Sequence, residues 1–248
     1  MPHADARDAG PPATGLLRVA LFLPQYAKDH AAGELRGIGT GFIAIEIAPV
    51  LAARLGATLR FVEYPSPAAA IAGLQGDACD VAFLGIEPSR AVAVDFSPPI
   101  FQFDYTFLVP AGSAIRSAAD VDRADVRIAV VDSHASALAL RRIVKHAELV
   151  GSTLPDAAFE RLCAGQVDAF ALPRDHLLAY AGRLPGSRVL DDSYGVNRVA
   201  MAVAKGRAGR LSAIAEFAEA AKASGLVQQT IARGGLRGYD VAPAERRI

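Results

Sequence analysis

From Leu17 onward, short continuous apolar runs alternate with stretches whose apolar positions recur at helical spacing. Runs of the first kind fit strands buried on both faces, and the alternation fits helices connecting mostly parallel strands. Leu17 to Leu23 reads as the first strand, and Gly33 to Gly41 as a glycine-punctuated turn region. Glu46 to Leu55 reads as a helix that tolerates Pro49 because it falls in the first turn, with Gly56 as the stop. Thr58 to Val62 is a second strand. Ser66 and Pro67 then supply a cap and a first helical residue for a helix over Ala68 to Gln75, closed by Gly76. Asp80 to Leu84 is a third strand.

Phe101 to Val109 is a longer extended run, long enough to leave one lobe and enter another. A self-contained unit follows. It holds a strand at Val126 to Val131, a helix over Ser133 to Ala147 and a short strand at Glu148 to Gly151. Further on come a helix over Pro155 to Cys163, a strand at Val167 to Leu172, a helix over Pro173 to Ala181 and a short strand at Arg188 to Leu190. Val199 to Val203 is a second crossing run. Helices over Leu211 to Ala223 and Leu226 to Ala232 complete the pattern, and the tail after Gly235 reads as loose. The fold class is therefore α/β, with lobe one over 16–107 plus 200–240 and lobe two over 108–199. A disordered tail over 1–15 and a loose tail over 241–248 flank them.

The 248 residues are 52% hydrophobic, enough apolar surface for a large core. Formal charge is zero and the cations are dispersed, which argues against a nucleic-acid or anionic-membrane surface. No apolar stretch approaches the ~20 residues of a membrane helix. Leu16 to Leu23 contains Arg18 and lacks the flanks of a signal peptide. Cys79 and Cys163 fall in different lobes and read as inert core thiols, and the five histidines are scattered without zinc-site spacing. No phosphate loop or nucleophile elbow is present, and no cofactor is indicated.

The candidate chemistry gathers where the third strand ends. Ala82-Phe83-Leu84-Gly85-Ile86-Glu87-Pro88-Ser89-Arg90 takes the chain from a buried strand through a turn to an arginine, and Val94-Asp95-Phe96-Ser97-Pro98-Pro99 follows. A guanidinium just past a strand's carboxyl end stands where open α/β sheets bind ligands, and its fork suits a carboxylate. Without that context, Arg90 would read as a surface cation paired with Asp95 or Glu87. The stretch resembles the lobe-one signature of the bacterial extracellular solute-binding proteins of family 3, the polar-amino-acid type, with Ile100 where that family has Tyr. The layout is similar from about Leu16 to Gly235.

The resemblance implies a two-lobed, type II periplasmic-binding-protein-like fold with a hinge of two crossing strands. It also implies hinge closure on a small carboxylate-bearing solute, an amino acid or organic anion, for ABC-type import. A membrane permease would be the partner, the chain would be a monomer without enzymatic activity, and its place would be the periplasm. With the start taken literally, the chain is cytoplasmic.

The residues assigned to the ligand are Arg90, Gly85, Ile86, Glu87, Ser133, His134, Arg174, Tyr26 and Phe22. Ser133 and His134 open a helix after a strand and stand where the family places a glycine and a hydroxyl. The alternative is simple helix capping. Pro173 replaces the acidic residue that pairs with an α-ammonium, and Arg174 follows it, which shifts the expectation toward an anionic solute. Phe22 and Tyr26 follow the first strand as aromatic-lid candidates, though an aromatic there is more often core. Glu87, in place of Thr or Ser, could accept an ammonium or neutralise Arg90. Two other readings are a dehydratase of the prephenate or arogenate type, with His134, Glu87 or Asp175 as acid or base, and a ligand-sensing module.

Overall fold

A computed structural model describes residues 15–22, 25–28, 35–132 and 134–244. In chain order it begins with β1 (Leu16–Phe22), β2 (Tyr26–Lys28), β3 (Leu35–Gly37), α1 (Thr40–Arg54), β4 (Thr58–Tyr64), α2 (Pro67–Gln75), β5 (Val81–Gly85), α3 (Pro88–Ala91), β6 (Val94–Phe96) and β7 (Phe101–Val109). It continues with β8 (Arg127–Val131), α4 (Ala135–Arg141), β9 (Glu148–Ser152), α5 (Pro155–Cys163), β10 (Ala169–Pro173), α6 (Arg174–Ala181), β11 (Arg188–Val189), β12 (Gly195–Ala204), α7 (Ala208–Ala223), α8 (Leu226–Arg233) and β13 (Tyr239–Val241). The chain divides into two compact units. One takes in the described residues up to Gln102, Arg198–Leu236 and the chain from Asp240; the other is Phe103–Asn197 with Arg237–Tyr239.

In the first unit the strand order is β4-β1-β5-β12, with β6 on β12. β4, β1 and β5 are parallel, and β12 runs antiparallel to β5. Every residue of β5 is buried, as a strand covered on both faces requires. Ala20 and Phe22 of β1 pack with Ala70 and Leu74 of α2, while Leu17, Val19 and Leu21 are as fully buried on the strand's other face. Ser66 caps α2 by accepting the Ala69 N–H, and Pro67 takes the first helical position, as the sequence predicts.

The second unit repeats this plan. Its order is β9-β8-β10-β7, with β8, β9 and β10 parallel, β7 antiparallel to β10, and β11 on β7. Two cores pack against this sheet. Phe107, Ile128, Val130 and Leu140 belong to one, and Leu108, Phe159, Phe170 and Leu177 to the other.

Several elements differ from the sequence reading. α1 begins at Thr40, not Glu46, so Pro49 lies inside the helix, where it removes a backbone donor. The glycine-rich stretch before it is not a simple turn. Gly39 caps α1 at φ +53°, and Gly41 is buried so tightly that an added Cβ would sit 1.9 Å from the Gln25 carbonyl oxygen. α4 stops at Arg141 rather than reaching Ala147, because the Asp122 carboxylate draws the N–H groups of Lys145, His146 and Ala147 into its own cage. The hairpin of β2 and β3, and strand β6, are too short to register as patterns. Cys163 is exposed at the end of α5 and is not a core thiol, whereas Cys79 is buried. The stretch after Gly235 is not loose throughout. Gly238 accepts from the Asp104 N–H and Tyr239 stacks on Phe103 at 4.9 Å.

Candidate functional site

The order β4-β1-β5 places the second and third parallel strands on opposite sides of the first. Crossovers leaving in opposite directions open a crevice at the carboxyl ends of β1 and β5, the switch point where such sheets bind ligands. β9-β8-β10 has the same order, and its switch point lies at the ends of β8 and β10. Phe22 and Gly85 end the first pair of strands, and Ile86, Glu87 and Arg90 follow them; His134 and Arg174 follow the second pair.

At the first switch point the chain leaves β5 at Gly85. Pro88 confines Glu87 to an extended conformation (φ −130°, ψ 138°), and Glu87 caps the single turn of α3 through its backbone, without a side-chain bond to it. The turn folds Arg90 back on the strand end, and its Nη1 donates to the Gly85 carbonyl oxygen at 3.0 Å. Asp95 is not the partner of Arg90. Its carboxylate holds Lys205 Nζ at 3.0 Å and accepts the Gly206 N–H at 3.1 Å. Ser97 Oγ accepts from the Met201 N–H and donates to the Pro98 carbonyl oxygen. The Asp-Phe-Ser segment thus fastens β6 and its exit to β12, and this holds the strand beside β5 in place. The Ile86 N–H donates to the Arg198 carbonyl oxygen at 2.8 Å, so that amide is already used and only the Ile86 side chain reaches the surface.

Phe22 is buried at 8% exposure among Ala70, Leu74 and Leu84. It is a core residue, and the lid role expected of it is set aside. Tyr26 is half-buried and its hydroxyl donates to Glu63 Oε2 at 2.9 Å. Desolvation, then the hydrogen bond and charge of Glu63, push the Tyr26 phenol above its ordinary pKa.

At the second switch point Ser133 lies outside the described residues. His134 is the N-cap of α4: its Nδ1 accepts the Ser136 N–H at 3.1 Å and lies 2.7 Å from Ser136 Oγ. An accepting Nδ1 leaves Nε2 as the protonated nitrogen of the neutral ring. The ring meets Tyr105 edge-on at 6.3 Å. The Ser136 carbonyl oxygen accepts from the Tyr194 hydroxyl, whose pKa burial drives well up.

Arg174 is spent on its own unit. Nε donates to Asp104 Oδ2 at 2.8 Å, Nη1 to the Leu190 carbonyl oxygen at 2.7 Å, and Nη2 to the Asp191 carbonyl oxygen at 2.9 Å and to Asp104. A guanidinium satisfied this way ties α6 to β7 and to the end of β11, and Arg174 is not carried forward as a ligand group. One cation near the first switch point that the sequence reading did not single out is Arg198. It is exposed on β12 beside Ile86, and only strand pairing, which has no local signature, brings it to the switch point. Among the described residues no group of three or more His, Cys, Asp or Glu could hold a metal ion.

The model of the bacterial extracellular solute-binding proteins, family 3, matches residues 27–233. The chain belongs to that family. No curated protein sequence matches it. Among solved structures, this family 3 protein is similar to a putative binding component of an ABC transporter from Wolinella succinogenes, complexed with lysine. That match has 24% identity and a TM-score of 0.72, over 88% of this chain and 95% of the other. It is also similar to an ancestral arginine-binding protein bound to arginine (26% identity, TM-score 0.66, 88% and 97% coverage). A third is an ancestral amino-acid-binding protein described as a precursor of cyclohexadienyl dehydratase (26%, 0.67, 89% and 95%). These matches confirm the two-lobed binding-protein fold. The family 3 assignment makes solute binding the function, with an ABC transporter as its setting. No helix among the described residues is long and apolar enough to cross a membrane.

Proposed function

We propose that this protein binds an amino acid reversibly, holding its α-carboxylate on Arg90 and its α-ammonium on Glu87, and presents it to a membrane permease as a monomer outside the cytoplasm. The observation that carries the reading is the placement of Arg90. A one-turn helix anchored by Pro88 sets its guanidinium against the Gly85 carbonyl, at the carboxyl end of a switch-point strand. Glu87 stands three residues before it in the same turn, so the two opposite charges of a zwitterion meet opposite charges on one short segment. That arrangement supports Glu87 as substitute for the acid absent at Pro173. The solved relatives bound to lysine and arginine support an amino-acid solute.

The protein is proposed to be non-catalytic. Binding proteins bring substrate to a transporter without changing it, and the fold alone assigns no chemistry. Thermal shift with the twenty amino acids, dicarboxylates and prephenate tests the reading. An amino acid should raise Tm in proportion to the logarithm of its concentration. Turnover of prephenate, or a response to none of the amino acids, overturns it.

A further inference from the structure

The antiparallel ladder between β12 and β5 pairs Val199 with Gly85 and Ala200 with Leu84, and the Ile86 N–H to Arg198 carbonyl bond extends it one residue further. Residues opposite each other in such a ladder project from the same face, with Cβ atoms roughly 5 Å apart. Arg198 therefore stands beside Ile86, just past the tip on which Arg90 is folded. Its side chain is exposed, and among the described residues no carboxylate forms an ion pair with it. Arg18, Arg127 and Arg174, by contrast, each have a carboxylate partner.

We infer that Arg198 is a specificity-determining contact of the solute site and takes a second carboxylate, so that the solute is a dicarboxylic amino acid. The inference rests on the proposed binding of an amino acid at Arg90 and Glu87. The three groups divide the charges of such a solute between them. Arg90 holds the α-carboxylate, Glu87 holds the ammonium, and Arg198, on the neighbouring strand, meets the side-chain carboxylate. Because the guanidinium is already displayed, binding breaks no ion pair. A charge-assisted hydrogen bond of this kind separates a carboxylate from the isosteric amide.

The pairs glutamate/glutamine and aspartate/asparagine test this, since each differs only in that group. Isothermal titration of the wild-type protein should show the acid bound more tightly than the amide. Arg198→Gln should weaken the acid by about tenfold or more and leave the amide within about twofold. Arg198→Lys should restore part of the acid's affinity. Equal affinities for acid and amide in the wild-type protein, or an equal loss of both in Arg198→Gln, would overturn the role of Arg198 while leaving amino-acid binding intact. If the wild-type protein binds none of the four but does bind a cationic or neutral amino acid, the dicarboxylate assignment alone falls. If it binds no amino acid, the reading beneath it falls as well.

Discussion

Asp80 is gripped three times by Arg18: its Oδ2 accepts the Arg18 backbone N–H at 2.8 Å and Nε at 3.0 Å, and its Oδ1 accepts Nη2 at 3.0 Å. The Asp80 N–H returns a bond to the Arg18 carbonyl oxygen, and Arg210 Nη1 closes on Oδ1 at 2.9 Å. This clamp joins the amino ends of β1 and β5, the two strands whose other ends form the first switch point. Arg127 and Asp168 repeat it between β8 and β10, with bonds of 2.8 Å and 3.2 Å to Oδ2. Each unit thus fixes its two central strands at the end opposite its switch point.

Asp80 is 1% exposed, so its loss leaves two guanidinium groups without their carboxylate. Asp80→Ala should destabilise the protein by about 3 kcal/mol. Asp168 is 37% exposed at its side chain, and Asp168→Ala should cost about 1 kcal/mol. Urea unfolding midpoints check both values, and a larger loss at Asp168 than at Asp80 would contradict the account.

The Asp168 clamp also gives the acid limb of stability a definite sign. Desolvation raises the Asp168 carboxyl, but the side-chain and backbone hydrogen bonds of Arg127 and its charge together hold it below its ordinary value. A depressed folded pKa contributes stability that is complete above the unfolded value near pH ~4. That stability is lost as pH falls through the folded value. Asp168→Asn should therefore flatten the fall of Tm below pH ~4 and leave the slope above it unchanged. Tm measured from neutral pH to strongly acidic pH decides this. An unaltered acid limb in the variant would refute the assignment.

Gly41 inverts the ordinary helix rule. Ala in a helix interior normally gains about 1 kcal/mol over Gly. At Gly41, a Cβ would instead meet the backbone of Gln25, with the carbonyl oxygen at 1.9 Å and the carbonyl carbon at 2.7 Å. Gly41→Ala should cost about 1–3 kcal/mol and displace the segment that carries Tyr26. Differential scanning calorimetry would show a lowered Tm, and a raised Tm would mean that the contact is looser than described.

Much of this plan can be read from the sequence. The buried runs around Val81–Leu84 and Ile128–Val131 mark switch-point strands, because only strands covered on both faces are apolar at every position. The position of Arg90 beside the strand end can be read too, since Pro88 fixes the turn that returns it to the strand. Roles set by tertiary pairing cannot. Arg174 looks like a ligand cation until Asp104, 70 residues away, is placed beside it. Phe22 looks like a lid until α2 covers it. Arg198 carries no local mark, because a ladder partner over 100 residues away in the chain decides where it stands.

Cys163 and Cys79 separate along the same line. The exposed Cys163 should react with a maleimide in the native protein. Cys79, 1% exposed and with burial raising its thiol pKa, should react only in denaturant. Mass spectrometry should therefore count one label on the native protein and two after unfolding. Two labels on the folded protein would contradict the described core.

The claim that the solute's carboxylate rests on Arg90 is tested most directly by titrating one amino acid, chosen from the thermal-shift panel, into the wild-type protein and into Arg90→Ala, with Arg90→Lys as the charge-keeping control. The account predicts that Arg90→Ala loses about tenfold to 100-fold or more in affinity and that Arg90→Lys recovers only part, because an ammonium cannot reproduce the guanidinium's two-point grip. An Arg90→Ala protein that is folded and binds the amino acid as tightly as the wild type would show that the carboxylate is held elsewhere.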